Sequence, residues 1–140
     1  MQAELGESDM RLVSEARAVI GRMYLKGRHQ VGAALLSTGG DVYTAVHVEA
    51  NVGRIALCAE AVAIGEMRSR SRDMVDTIVA VISPGEDAAS QDVYVVSPCG
   101  MCRELISDYG PGASVIIERD GRLVKVKVES LLPDKFESRD

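Results

Sequence analysis

The chain has 140 residues, 46% apolar and 26% charged, with a formal net charge of −5. That is one domain with a core of its own, over residues 1–140, rather than a disordered or low-complexity polymer. Twenty-one acids against sixteen cations leave no basic footprint for nucleic acid. The cations that do cluster, Arg68, Arg70 and Arg72, read as a solvated helix end. No apolar run nears the roughly 18 residues of a membrane span, and the acidic beginning (Glu4, Glu7, Asp9) is not expected to be a signal peptide. Three cysteines, an odd number, argue against a secreted disulfide framework, so a cytoplasmic location is expected.

Residues 8–24 carry apolar side chains at Leu12, Val13, Ala16, Val19, Ile20 and Met23, a helical period. Ser8 or Asp9 is the expected cap and Gly27 the stop signal. Residues 31–36 and 42–48 flank Ser-Thr-Gly-Gly-Asp and predict a hairpin. Its first strand opens Val31-Gly32-Ala33-Ala34, small enough that something is expected to pack or bind close to it. Residues 58–70 predict a second helix. Residues 78–82 form a continuous apolar run, as in a strand covered on both faces. A polar loop over 83–92 precedes another buried-type strand at 93–96. Residues 99–109 predict a third helix, ended by Gly110-Pro111-Gly112. Two more strands, 114–118 and 123–128, flank Asp120-Gly121. Strands alternating with helices imply a mixed sheet with helices on its faces.

The three cysteines stand where chemistry can be argued. Cys58 is followed two residues later by Glu60, and Cys99 and Cys102 lie in Pro-Cys-Gly-Met-Cys at 98–102. Both motifs fall at expected helix starts, where the dipole favours thiolate. Three thiolates converging on one Zn²⁺ leave the fourth tetrahedral position open, the ligand count of a catalytic site. Glu60 would then sit beside a metal-activated water without binding the metal. Other readings remain: a thioredoxin-like Cys-x-x-Cys pair, inert buried cysteines, or a four-ligand structural zinc using His29 or His47. The first leaves Cys58 and Glu60 unexplained, and the last lacks close motif spacing.

Cys58-Ala59-Glu60 with Pro98-Cys99-Gly100-Met101-Cys102-Arg103 resembles the zinc-dependent nucleoside deaminases, specifically the small cytidine deaminases and related blasticidin-S deaminases. Val31-Gly32-Ala33-Ala34, Val48-Glu49 and Leu131-Leu132-Pro133 with Phe136 resemble further family segments in the family's order. The resemblance implies an α/β fold of three α/β/α layers around a five-stranded mixed sheet. It implies one zinc per chain on Cys58, Cys99 and Cys102, and a homotetramer. It makes Glu60 the proton shuttle between water, ring nitrogen and leaving ammonia. It makes Glu49 a contact to a substrate hydroxyl or other polar handle, and Phe136 a contribution to a neighbour's pocket.

This chain departs from the family pattern around the pocket. His29 replaces an aromatic, commonly Phe; His47 replaces a ribose-binding Asn; residues 50–54 lack the usual Asn-Ala-Ser-Tyr-Gly; and Ala61 replaces an Arg that offsets thiolate charge. Arg103 and the two helix starts are the expected compensation. The reaction expected is hydrolytic deamination of cytidine, deoxycytidine or a cytosine nucleoside analogue, with no nucleic-acid or membrane partner. Another aminated heterocycle or free base is the alternative substrate. A non-catalytic, zinc-stabilised oligomeric binding protein is the rival from another class, and Glu60 speaks against it.

Overall fold

The computed structural model describes residues 2–85 and 88–139. In chain order the elements are β1 (Gln2–Ala3), α1 (Glu7–Met23), β2 (Val31–Ser37), β3 (Val42–Val46), α2 (Ala59–Arg70), β4 (Val75–Ile82), β5 (Tyr94–Val96), α3 (Gly100–Tyr109), β6 (Ser114–Arg119) and β7 (Arg122–Lys127). Short 3-10 turns occupy Gly53–Ile55 and Val128–Leu131. The polar loop expected over 83–92 includes residues 86 and 87, which lie outside the described residues.

The strands form one mixed sheet in the order β1-β7-β6-β4-β2-β3. β4 and β6 run parallel, with α3 in the connection between them, while β2, β3 and β7 pair antiparallel with their neighbours. The second half of β4 pairs with β5, Ala80 opposite Val96. Among the described residues the sheet has seven strands where five were expected. β2, β3, β4, β6 and β7 are the main ones; β5 is a three-residue return along β4, and β1 is a two-residue addition to β7 that carries no apolar alternation to announce it.

Alternation along the strands divides the core between two faces. Ala34, Val79, Val81 and Ile116 pack under Leu12, Val13, Ala16 and Ile20 of α1. Leu35, Ile78, Val115 and Ile117 pack under Ala63, Ile64 and Met67 of α2 and Ile106 of α3. The result is three layers, α/β/α, and it explains why the 78–82 run has no polar alternation.

The small-residue start of β2 has two causes, one on each face. A Cβ on Gly32 would lie 2.8 Å from the Ala16 carbonyl oxygen and 2.9 Å from Ile20 Cβ, so α1 crosses the strand there. On the other face Ala33, Ala80 and Ala59 make a tight cluster that seats the first turn of α2 against the sheet. The expected close approach is thus helix packing on both sides, and the second contact positions the cysteine-bearing helix start.

Helix α1 corrects the expected cap. Gly6 is the N-cap, and Asp9 at the third helical position accepts its backbone N–H at 2.9 Å. Asp9 is buried and also takes Lys125 Nζ at 3.0 Å, tying α1 to β7. The helix ends before Gly27, at Tyr24, and Gly27 (φ +75°) turns the chain between Leu25 and His29. Arg68, at the expected solvated helix end, donates to the Arg72 and Asp73 carbonyls and lies 5.4 Å from the Tyr109 ring centroid.

Candidate active site

Two helix starts meet at one end of the sheet. A bridge between Val48 and Leu57 brings the chain to Cys58, the N-cap of α2, so Glu60 falls in that helix's first turn. β5 runs directly into Ser97 and Pro98, and Cys99 is the N-cap of α3, with Cys102 in its first turn. Arg103 holds this corner: its Nε donates to the Pro98 carbonyl at 2.8 Å and its Nη1 to the Leu131 carbonyl at 3.4 Å. These contacts turn two of the Arg103 guanidinium nitrogens to carbonyl oxygens, while both helix starts present their positive ends at the cysteines.

The three sulfurs lie within 4.8 Å of one another, and Cys58 Sγ is 3.7 Å from Cys99 Sγ. Thiolates at about 2.3 Å from a tetrahedral zinc stand about 3.8 Å apart, so the donor set fits the ion in type and in spacing. Among the described residues this is the one group of three or more His, Cys, Asp or Glu side chains so placed, and neither histidine belongs to it.

The thiols do not share one protonation tendency. Burial pushes Cys102 well up, reinforced by the charges of Glu60 and Cys58. Burial also raises Cys58. At Cys99 burial acts the same way but is outweighed by the backbone N–H of Cys102 and the thiols of Cys102 and Cys58, and its pKa is lowered. Cys99 is the readiest thiolate; a metal ion would deprotonate the other two. Burial raises the pKa of Glu60, opposed by its own backbone N–H and the Cys102 thiol. A buried carboxyl that holds a proton more readily than usual is suited to carrying one.

Cys58, Glu60, Cys99 and His47 line one cleft of about 200 Å³, whose remaining walls include Gln30, Val31 and Ser97. Gln30 and Ser97 were not singled out from the sequence; their signal is positional, one before β2 and the other before Pro98. Glu49 stands near His47 and exposed, with its Oε2 3.5 Å from His47 Nε2. His29 does not line the cleft; its Nδ1 meets the backbone carbonyl of His47 at 2.8 Å. Phe136 is 82% exposed and is absent from the walls of its own chain's cleft. The structure therefore brings together the three cysteines, Glu60 and His47, places Glu49 and His29 next to His47 but off the cleft's walls, and leaves Phe136 apart.

A second groove of about 330 Å³ runs between α2 and α3, past Leu57, Ala61, Met101 and Leu105, with Cys58 and Cys102 at its base.

Residues 6–118 match the family model for the cytidine and deoxycytidylate deaminase zinc-binding region. The blasticidin-S deaminase of Bacillus cereus is 47% identical over 132 residues, covering 94% of each chain. The cytidine deaminase of Halalkalibacterium halodurans is 30% identical over 115 residues, 81% of each. Among solved structures, the cytidine deaminase of Mycobacterium tuberculosis aligns with a TM-score of 0.72 at 25% identity, covering 96% of this chain and 100% of that one. That of Bacillus anthracis shares the fold, with a TM-score of 0.76 at 22% identity over 91% of this chain and 88% of that one. With the family model spanning most of the chain and three thiols clustered where a metal ion can be held, the chain belongs to the cytidine and deoxycytidylate deaminase family and is a zinc-dependent hydrolytic deaminase.

Proposed function

We propose that the substrate is a cytosine-containing nucleoside, with blasticidin S or a related cytosine nucleoside analogue ahead of cytidine and deoxycytidine. The 47% identity to a blasticidin-S deaminase supports that order, as do the histidines at positions 29 and 47, where ordinary cytidine deaminases carry other residues. The observation that carries the reaction is the cluster of three thiols, two of which, Cys58 and Cys99, line one cleft with a buried Glu60.

Cys58, Cys99 and Cys102 would hold zinc, and the bound ion would supply the Lewis acidity that makes water a proton donor at neutral pH. Glu60 would carry two protons in turn: the first from water to the ring nitrogen, where it stays in the product, and the second from the hydroxyl now on the ring carbon to the amine, which leaves as ammonia. The net change is N=C–NH₂ plus water to HN–C=O plus ammonia. Burial of Glu60 keeps bulk water from short-circuiting the transfer. His47 and Glu49 meet the part of the substrate remote from the amine, with His29 behind them. One deaminase domain over residues 1–140 is the working unit, in the cytoplasm; among the described residues no helix is long and apolar enough to cross a membrane. The assembly is a homotetramer in which Phe136 reaches a neighbour's cleft. The exposed apolar side chains of Ile55, Leu57, Met101 and Phe136 support such a contact.

Ammonia release from purified, zinc-loaded protein tests the reading. The panel is blasticidin S, cytidine, deoxycytidine, cytosine, and aminated purines and triazines. Turnover confined to cytosine nucleosides is expected. Turnover only of purines or triazines moves the substrate to the alternative heterocycles, and turnover of none favours a zinc-stabilised binding protein.

A further inference from the structure

Segment 28–31 grips segment 47–49 at three points. The His47 N–H donates to the Val31 carbonyl at 2.8 Å, and the Glu49 N–H to the Arg28 carbonyl at 3.2 Å. Between them His29 Nδ1 lies 2.8 Å from the His47 carbonyl oxygen. A carbonyl only accepts, so that Nδ1 carries a proton and donates it. Of the three bonds this is the only one made by a side chain, hence the only one a substitution can delete without moving the backbone.

Of what the grip holds, His47 lines the cleft beside Cys58, Glu60 and Cys99, and Glu49 stands next to it, off the cleft's walls. The His47 Nε2 is 3.5 Å from Glu49 Oε2, while Glu49 Oε1 accepts the Ala50 N–H at 3.0 Å. Glu49 is thus held by the Ala50 N–H and lies beside the His47 ring, and its side chain is still 41% exposed, with acceptor capacity to spare. A carboxylate offers acceptors only, so what it recognises must present a donor.

We propose that His29 is a positioning residue for substrate specificity: by anchoring the His47 carbonyl it orients the His47–Glu49 pair to select rings whose substituent carries a hydrogen-bond donor, a hydroxyl or an ammonium-type nitrogen. The inference rests on the deaminase reading of the same cleft. A ring without such a substituent leaves the pair in water and gains nothing from it, so the pair favours only rings that reach it with a donor. Phenylalanine at position 29 keeps a ring of similar bulk and loses the bond. Asparagine keeps an N–H at about the same reach.

The test uses the full-length zinc-loaded protein, its His29→Phe, His29→Asn and Glu49→Gln variants, and zinc content and Tm as controls. Three probes are measured: kcat and KM for cytidine and for blasticidin S, and the inhibition constant of 1-methylcytosine, which presents the ring with no donor on its substituent. In His29→Phe the KM of the nucleoside that turns over should rise about tenfold or more, as for one lost hydrogen bond. Its kcat should change less than threefold, and the inhibition constant of 1-methylcytosine should stay put. His29→Asn should recover most of the loss. Glu49→Gln should reproduce the KM effect and leave 1-methylcytosine unchanged, which keeps the idea testable if His29→Phe does not fold. The proposal is overturned if His29→Phe, with native zinc and Tm, leaves the nucleoside KM unchanged. It is equally overturned if 1-methylcytosine weakens in parallel, or if Glu49→Gln has no effect. Wild-type protein releasing no ammonia from either nucleoside would instead defeat the deaminase reading beneath it.

Discussion

Cys58 and Cys99 are 41 residues apart in the chain, and their sulfurs lie 3.7 Å apart. Each is the N-cap of its helix, so the separation is set by how α2 and α3 start rather than by a flexible loop. A donor set built on two helix starts is preorganised, and metal binding there needs little rearrangement.

We expect about one zinc per chain in purified protein, measured by metal analysis. A strong chelator should abolish turnover, and added zinc should restore it. Cys99→Ser should lose most of the metal. Because burial raises the thiol pKa values of Cys58 and Cys102, protons compete with the ion at those two positions. Zinc retention should therefore weaken as pH falls and strengthen as it rises. Full activity without stoichiometric metal would contradict the assignment.

Glu60→Gln should retain fold and zinc and lose turnover. The amide keeps the size of the side chain but cannot take a proton from water. General acid–base catalysis is typically worth ~10²–10⁴-fold, so kcat should fall by at least two orders of magnitude, with KM changing far less. A variant retaining more than about a tenth of the wild-type kcat would remove Glu60 from the mechanism.

The sequence carried the long elements and the metal set because both are local patterns. The periodicity of α1, the apolar run of β4 and the two cysteine motifs each lie within a short window. What was not legible depends on contacts between distant segments. The cap of α1 is Gly6 because Asp9 reaches back to its N–H and out to Lys125, more than a hundred residues away. His29 reads as a pocket residue from its alignment with the family's aromatic, yet its ring is turned to the His47 backbone. Gln30 and Ser97 enter the cleft only because β2 and β5 flank the same half of β4.

Gly32 is a position where a single methyl should be felt. Its added Cβ would press the Ala16 carbonyl, which is backbone and cannot swing away, as well as Ile20. Gly32→Ala should cost about 1–3 kcal/mol through displacement of α1, and Gly32→Val more. Thermal unfolding should show a Tm several degrees lower. The zinc set lies on the other side of the sheet, so metal content of the folded fraction should be normal. An unchanged Tm would mean that α1 sits farther from β2 than this packing implies.

Self-association is the last expectation, and it rests on where exposed apolar side chains gather. Ile55 and Leu57 precede Cys58, Met101 lies between Cys99 and Cys102, and all three are about half exposed or more. Leu57 and Met101 also line the groove between α2 and α3. The C-terminal segment is brought to the same side by Lys135, whose Nζ binds Asp108 at 2.8 Å and Ser107 at 2.7 Å on α3, leaving Phe136 projecting. Apolar surface concentrated around a catalytic cleft is surface a second copy can cover, and closed symmetry lets one contact type serve every subunit. Light scattering at micromolar concentration should give a tetramer. Phe136→Ala should raise KM for the nucleoside while leaving zinc content intact, since the ring is expected to act on a neighbour's cleft. Phe136→Ala with unchanged kinetics in an intact tetramer would take Phe136 out of the site, and a fully active monomer would remove the shared cleft altogether.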